Sequence, residues 1–216
     1  MQNNPLAQRA TEPRQELAPG AVLLRAFAAS QDAALLTALQ EVVGRSPLRR
    51  MTTPGGYRMS VAMTNCGECG WITDESGYHY GAVDPSTARR WPPMPRVLAD
   101  LAAAAAAAAG FAGFAPDACL ISRYEPGARL SLHQDKDEID HEAPIVSISL
   151  GVAAVFLFGG QRRSERPLRV PLRHGDVVVW GGPARLRYHG VMPLADGQHP
   201  LLGACRVNLS MRKAGK

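Results

Sequence analysis

The chain has 216 residues, 46% of them hydrophobic and 20% charged, with a formal net charge of +5. That length suits one domain with an ordinary core, no apolar run reaches the ~20 residues of a membrane span, and residues 1–20 lack the apolar stretch of a signal peptide. Four cysteines, at 66, 69, 119 and 205, are too few for a disulfide framework; the expected setting is the cytoplasm, with no membrane contact.

In chain order, residues 1–20 read as a disordered lead-in and 21–216 as a single domain. Segment 21–27 reads as a strand. Ser30 suits the N-cap of an amphipathic helix running to Val43, with Gly44 as its stop. Residues 51–90, rich in Gly, Thr, Tyr and turn residues, hold a candidate strand at 57–65 and read as a lid over one mouth of the fold. Trp91-Pro92-Pro93-Met94-Pro95 leads into a second helix, which ends in the alanine run 102–109 and Gly110. From Ala118 onward the apolar period becomes two. Strands are predicted near 119–124, 129–133, 145–150, 155–158, 168–172, 177–180, 185–191 and 206–212. Eight short strands between Gly- and Pro-bearing turns predict a mostly β chain of α+β type. Its core would be a double-stranded β-helix (jelly roll) over 115–213, with both helices outside one sheet.

Three polar features stand out against that pattern. His133 and Asp135 are two residues apart, so an extended chain would project both to one face. His189, 54 residues beyond Asp135, supplies a third ligand from another strand. Two histidines and one carboxylate make the cage of non-haem Fe(II) oxygenases, although catalytic zinc sites use the same residue types. The closing segment decides between them. Arg206, Asn208, Ser210 and Arg212 alternate with Val207, Leu209 and Met211. Two arginines on one interior face need anionic partners, and the guanidinium fork matches a carboxylate. Together these features point to iron and 2-oxoglutarate. A second pair, His174 and Asp176, reads as a tight turn before the buried run 177–180. His79, His141 and His199 read as surface or loop residues. Cys66 and Cys69 have zinc-knuckle spacing, but no second CxxC or CxxH exists, so they read as reduced thiols.

The chain resembles the AlkB-type Fe(II)- and 2-oxoglutarate-dependent nucleic-acid dealkylases, near their bacterial founding member. The resemblance covers about 20–216. It rests on Thr53-Pro54-Gly55-Gly56-Tyr57, on Met59 through Gly67, on Pro116-Asp117-Ala118-Cys119-Leu120-Ile121 and on Leu130-Ser131-Leu132-His133-Gln134-Asp135-Lys136-Asp137-Glu138. Gly175 through Gly182 and Arg206 through Arg212 complete it. It implies iron at His133, Asp135 and His189, and 2-oxoglutarate contacts from Tyr124, Arg206, Asn208, Ser210 and Arg212. Ser122 stands where the family's bacterial founder has an asparagine near the cosubstrate. The resemblance also implies a flipped base framed by Trp71, Tyr78 and His133, with Asp137 and Glu138 beside it. Thr53, Tyr57, Lys136 and Arg163 would lie along the nucleic-acid strand.

The activity implied is oxidative demethylation of N1-methyladenine and N3-methylcytosine in single- or double-stranded DNA, and in RNA, by a monomer that consumes O2. A cationic, unpaired base suits this reading, because aromatic faces attract cations and an unpaired lesion leaves its stack easily. Two rivals are the same iron chemistry on a protein or small molecule, and a nucleic-acid-binding jelly roll without turnover.

Overall fold

A computed structural model describes residues 12–215. Fifteen strands, two α-helices and two short 3-10 turns make up the described residues. Seven strands form one antiparallel sheet in the order β1-β2-β13-β10-β15-β8-β3. They are β1 (Arg14–Ala18), β2 (Ala21–Leu24), β3 (Ala62–Gly67), β8 (Ala118–Tyr124), β10 (Ile145–Gly151), β13 (Val177–Trp180) and β15 (Arg206–Arg212). A four-stranded sheet, β12-β11-β14-β9, faces it, built from β9 (Leu130–His133), β11 (Ala154–Phe158), β12 (Leu168–Leu172) and β14 (His189–Val191). The hairpins β4 (Gly70–Asp74) with β5 (Gly77–Gly81), and β6 (Val83–Asp84) with β7 (Arg89–Arg90), stand apart.

Period-two alternation sorts the large sheet into two faces. Val22, Leu24, Val146, Ile148, Val177, Val179, Val207, Leu209 and Met211 join the helices in one buried cluster. Ala21, Leu23, Ile145, Val178 and Trp180 face the other way and pack with Phe156, Phe158 and Val191 of the small sheet. Helix α1 (Asp32–Arg45) buries Leu35, Ala38, Leu39 and Val42. Helix α2 (Arg96–Ala108) buries Leu98, Leu101, Ala102, Ala105 and Ala106, the spacing of one helical stripe. The alanine run lets that stripe lie close to the sheet. No helix among the described residues is long and apolar enough to cross a membrane.

Several boundaries differ from the sequence reading. Residues 14–18 of the expected disordered lead-in form β1, which pairs with β2; residues 1–11 lie outside the described residues. Ser30 falls in a 3-10 turn, Ala29–Gln31, and does not cap the helix. The helix starts at Asp32, whose carboxylate accepts the Ala33 N–H, and it runs through Gly44 to Arg45. The strand expected at 57–65 begins only at Ala62, because Thr53 and Tyr57 close a turn through the Thr53 N–H and the Tyr57 carbonyl. It then pairs with β8, so this part of the expected lid belongs to the large sheet. The strand expected at 185–191 shrinks to β14. Gly182–Ala184 form a 3-10 turn, and the Arg185 and Arg187 N–H groups bond back to Gly182 and Ala184.

Candidate metal and cosubstrate site

β9 and β14 are antiparallel neighbours, and their register sets His133 opposite His189. Asp135 lies just beyond the end of β9, so the loop rather than strand alternation aims its carboxylate. One ligand atom from each of His133, Asp135 and His189 lies within 4.8 Å of the other two. Among the described residues this is the one such group of three. Nε2 of His133 is 3.5 Å from Asp135 Oδ1, and Nε2 of His189 is 3.7 Å from Oδ2. Each imidazole turns Nδ1 to a backbone carbonyl, Ser131 at 2.8 Å and Arg187 at 3.0 Å. That contact fixes the ring and leaves Nε2 to a metal.

The electrostatics favour a ligating state. Burial, reinforced by His133, pushes the His189 imidazole down to about 4, so it is neutral at neutral pH. Burial alone would raise the Asp135 carboxyl; Arg212 and the two imidazoles outweigh it and hold the group well below the usual carboxylate range. Arg212 Nε donates to Asp135 Oδ2 at 2.8 Å. Trp180 packs edge-on against His189, with ring centroids 5.0 Å apart.

A second pocket lies behind the triad and shares His133 and His189 with it. Ser122, Tyr124, Arg206, Asn208, Ser210 and Arg212 all line it, as the alternation of β15 requires once Val207, Leu209 and Met211 face the helices. Asn208 sits opposite Ser122 and Arg206 opposite Tyr124 across the β8–β15 ladder. Arg206 is 2% exposed. Its Nη2 donates to Ser149 Oγ, while Nε and Nη1 are buried without a partner. The guanidinium lies over the Tyr124 ring, 5.0 Å from its centroid, and stays charged even in such a place, so two of its nitrogens could serve an anion. Arg212 differs: its fork is already spent on Asp135 and Glu138.

A larger cavity of about 730 Å³ opens on the other side of His133. Thr53, Tyr57, Trp71, Tyr78, Lys136, Asp137 and Arg163 line it, together with Met59, Gln134 and Tyr188. Trp71 and Tyr78, from the β4–β5 hairpin, stack with centroids 5.3 Å apart and planes within 12°. Trp71 Nε1 donates to Asp137 Oδ2 at 3.1 Å.

Glu138 corrects the sequence reading. It turns away from the cavity and is buried, accepting from Arg185 Nη2 at 3.1 Å and from the Tyr80 hydroxyl at 2.7 Å. A carboxylate so enclosed cannot meet a base. Arg185, which sequence reasoning missed, is itself buried and donates from Nη1 to the Asp135 carbonyl at 2.7 Å. Nothing in its local sequence separates it from a surface arginine. The turn reading of His174 and Asp176 agrees with the geometry: Asp176 accepts from Arg25 and from the Ala26 and Arg173 N–H groups. Cys66 is buried opposite Cys119 across β3 and β8, and neither Cys66 nor Cys69 belongs to a metal-sized group among the described residues.

The profile of the 2OG-Fe(II) oxygenase superfamily matches residues 20–212. The chain belongs to this superfamily. It is 57% identical over 206 residues to the alpha-ketoglutarate-dependent dioxygenase AlkB of Escherichia coli, covering 95% of each chain. It is 37% identical over 132 residues to the nucleic acid dioxygenase ALKBH1 of Mus musculus, covering 59% of this chain and 33% of that protein. The solved structure of OsALKBH1 superposes with a TM-score of 0.79 at 30% identity, covering 93% of this chain and all of that one. The expected jelly-roll architecture is therefore the superfamily fold. The protein is an AlkB-type Fe(II)- and 2-oxoglutarate-dependent dioxygenase, with O2 as its second cosubstrate. The donor set fits that chemistry: two neutral-capable imidazoles and a carboxylate for a divalent cation, and an orphaned buried guanidinium for a dicarboxylate.

Proposed function

We propose that this oxygenase repairs alkylated DNA, and alkylated RNA, by removing methyl groups from N1-methyladenine and N3-methylcytosine. The observation that carries the reading is the Trp71–Tyr78 wall, tied to Asp137 and set in the cavity that reaches His133. A parallel aromatic wall stacks any base, and a cationic base gains further from ring faces and from a carboxylate. The names of the relatives, a dioxygenase AlkB and a nucleic acid dioxygenase, support the same substrate class.

In this reading His133, Asp135 and His189 hold the iron, which when bound supplies the oxidation of the methyl C–H bond. Arg206 takes the far carboxylate of 2-oxoglutarate, with Tyr124, Asn208, Ser210 and Ser122 around it. Ser122 faces Asn208 across the ladder, and its short side chain leaves room for a bridging water. Arg212 keeps the Asp135 carboxylate ionised and aimed. The β4–β5 hairpin and the turn at Thr53 and Tyr57 act as the nucleotide-recognition lid. Asp137 orients the exocyclic amino group, and Lys136 and Arg163 meet phosphates, which supply affinity rather than sequence choice. The hydroxymethyl base then releases formaldehyde, leaving succinate, CO2 and the repaired base.

The test is formaldehyde release from oligonucleotides carrying either lesion, with Fe(II) and 2-oxoglutarate supplied. Turnover of 2-oxoglutarate with a protein or metabolite but with no methylated oligonucleotide would remove this reading.

A further inference from the structure

Four arginines fall within the eight residues 162–169, a density found nowhere else in the sequence. Elsewhere Arg25, Arg49, Arg50, Arg96, Arg123, Arg185 and Arg212 each meet a carboxylate. In the connection from β11 to β12 and along β12, Arg162, Arg163, Arg166 and Arg169 are all exposed, and no ion pair among the described residues involves any of them. The one acidic residue in 161–169 is Glu165. Its carboxylate folds back to accept the Arg162 backbone N–H at 2.7 Å, and a Cβ at Gly160 would overlap it. The loop thus closes on its own glutamate and leaves its guanidinium groups outward.

This segment is anchored at the mouth of the large cavity. Two backbone hydrogen bonds tie it to Tyr188 there, from the Gly159 N–H to the Tyr188 carbonyl and from the Tyr188 N–H to the Gly160 carbonyl. Arg163 Nη1 donates to the Leu132 carbonyl at 2.7 Å, beside the cavity wall. β12 is the edge strand of the small sheet. Val170 and Leu172 point into the core, so Arg169 lies on the opposite, solvent face, where it reaches Met192. Cations therefore run from the cavity rim, through the loop, onto the outside of the small sheet. Unpaired surface arginines in sequence with a binding cavity are the electrostatic footprint of a polyanion.

We propose that Arg162, Arg166 and Arg169 form a phosphate track that holds the nucleic-acid backbone after it leaves the cavity. This rests on the nucleic-acid reading above and adds to it a second, sequence-independent contact segment. The track does no chemistry; it lengthens the strand that the enzyme can grip.

The experiment measures binding and turnover separately. Fluorescence anisotropy of an unmethylated single-stranded oligonucleotide is followed against salt for the wild type and for the R162A/R166A/R169A variant. Methylated substrates are then assayed as a trinucleotide and as a strand long enough to pass the loop. Each phosphate contact contributes about 0.7 to the salt slope for single strands, so losing three should lower it by about 2. The variant should bind the long strand at least tenfold more weakly at low salt, yet process the trinucleotide as the wild type does. The R162K/R166K/R169K variant should keep the slope. Equal losses on both substrate lengths, an unchanged salt slope, or lost binding of an acidic polypeptide with intact oligonucleotide binding would overturn the track. If the slope falls as expected but no methylated strand is demethylated, the track stands and the repair reading falls.

Discussion

Arg212 and Asp135 are joined by a buried fork: Nε of the last residue of β15 donates to the carboxylate beside His133 at 2.8 Å. The strand that lines the candidate cosubstrate pocket thereby also holds a member of the triad. The two halves of the site are mechanically one object.

His133→Ala and His189→Ala should each abolish turnover and weaken Fe(II) binding by orders of magnitude, with the circular dichroism of the wild type retained. Asp135→Ala should do the same and also lower the thermal midpoint, because it strips Arg212 of its main partner. His174→Ala should bind Fe(II) normally. Equilibrium dialysis of Fe(II) checks all four; iron loss in His174→Ala but not in His133→Ala would reverse the assignment.

Arg206→Ala should raise the 2-oxoglutarate KM tenfold or more, since hydrogen bonds to charged groups contribute about 1.5–3 kcal/mol. Arg206→Lys should restore little, because an ammonium lacks the planar fork. Saturation curves for succinate formation at fixed oligonucleotide decide this. An unchanged KM in both variants would take the dicarboxylate away from β15.

Glu138→Ala should cost stability, not substrate selectivity. Its carboxylate is enclosed by Arg185, Arg212 and Tyr80, and removing one partner of a buried ion pair costs about 3–5 kcal/mol. Urea unfolding should show that loss, while the ratio of rates on methyladenine and methylcytosine stays near that of the wild type. A stable variant with altered lesion preference would return Glu138 to the substrate.

Asp137→Ala should narrow the preference for cationic lesions over a neutral one such as 3-methylthymine, because cation-specific attraction contributes about 0.5–2 kcal/mol. Trp71→Ala should slow all of them, since stacking is worth about 1–3 kcal/mol per base whatever its identity. Formaldehyde release on the three lesions reads both effects. Preference for the neutral base in the wild type would end this account of recognition.

The sequence was most informative where burial leaves only one solution. β15 was legible because polar side chains at every second position, alternating with Val207, Leu209 and Met211, mark one apolar face against the helices and one polar face into a pocket. The triad was legible from residue type and spacing, although Asp135 reaches it from a loop and not from strand alternation. Glu138 was not legible, because its direction is set by Arg185, 47 residues away. The same arginine, drawn inward to the Asp135 carbonyl, breaks the strand expected at 185–191 in concert with the 3-10 turn at Gly182–Ala184. Ser30 failed as a cap because the chain makes a tighter 3-10 turn first, so the helix begins two residues later with Asp32 in its first turn.

The two unpartnered nitrogens of Arg206 have a consequence for the protein's lifetime. A buried guanidinium with two of its three nitrogens lacking an acceptor carries a penalty on the folded state, and a dicarboxylate that relieves it shifts folding by mass action. At a hundredfold excess over its dissociation constant, such a ligand adds about 2.7 kcal/mol. The concentration of one small dicarboxylate would then help set how much of this protein survives heat and proteolysis, quite apart from how fast it works.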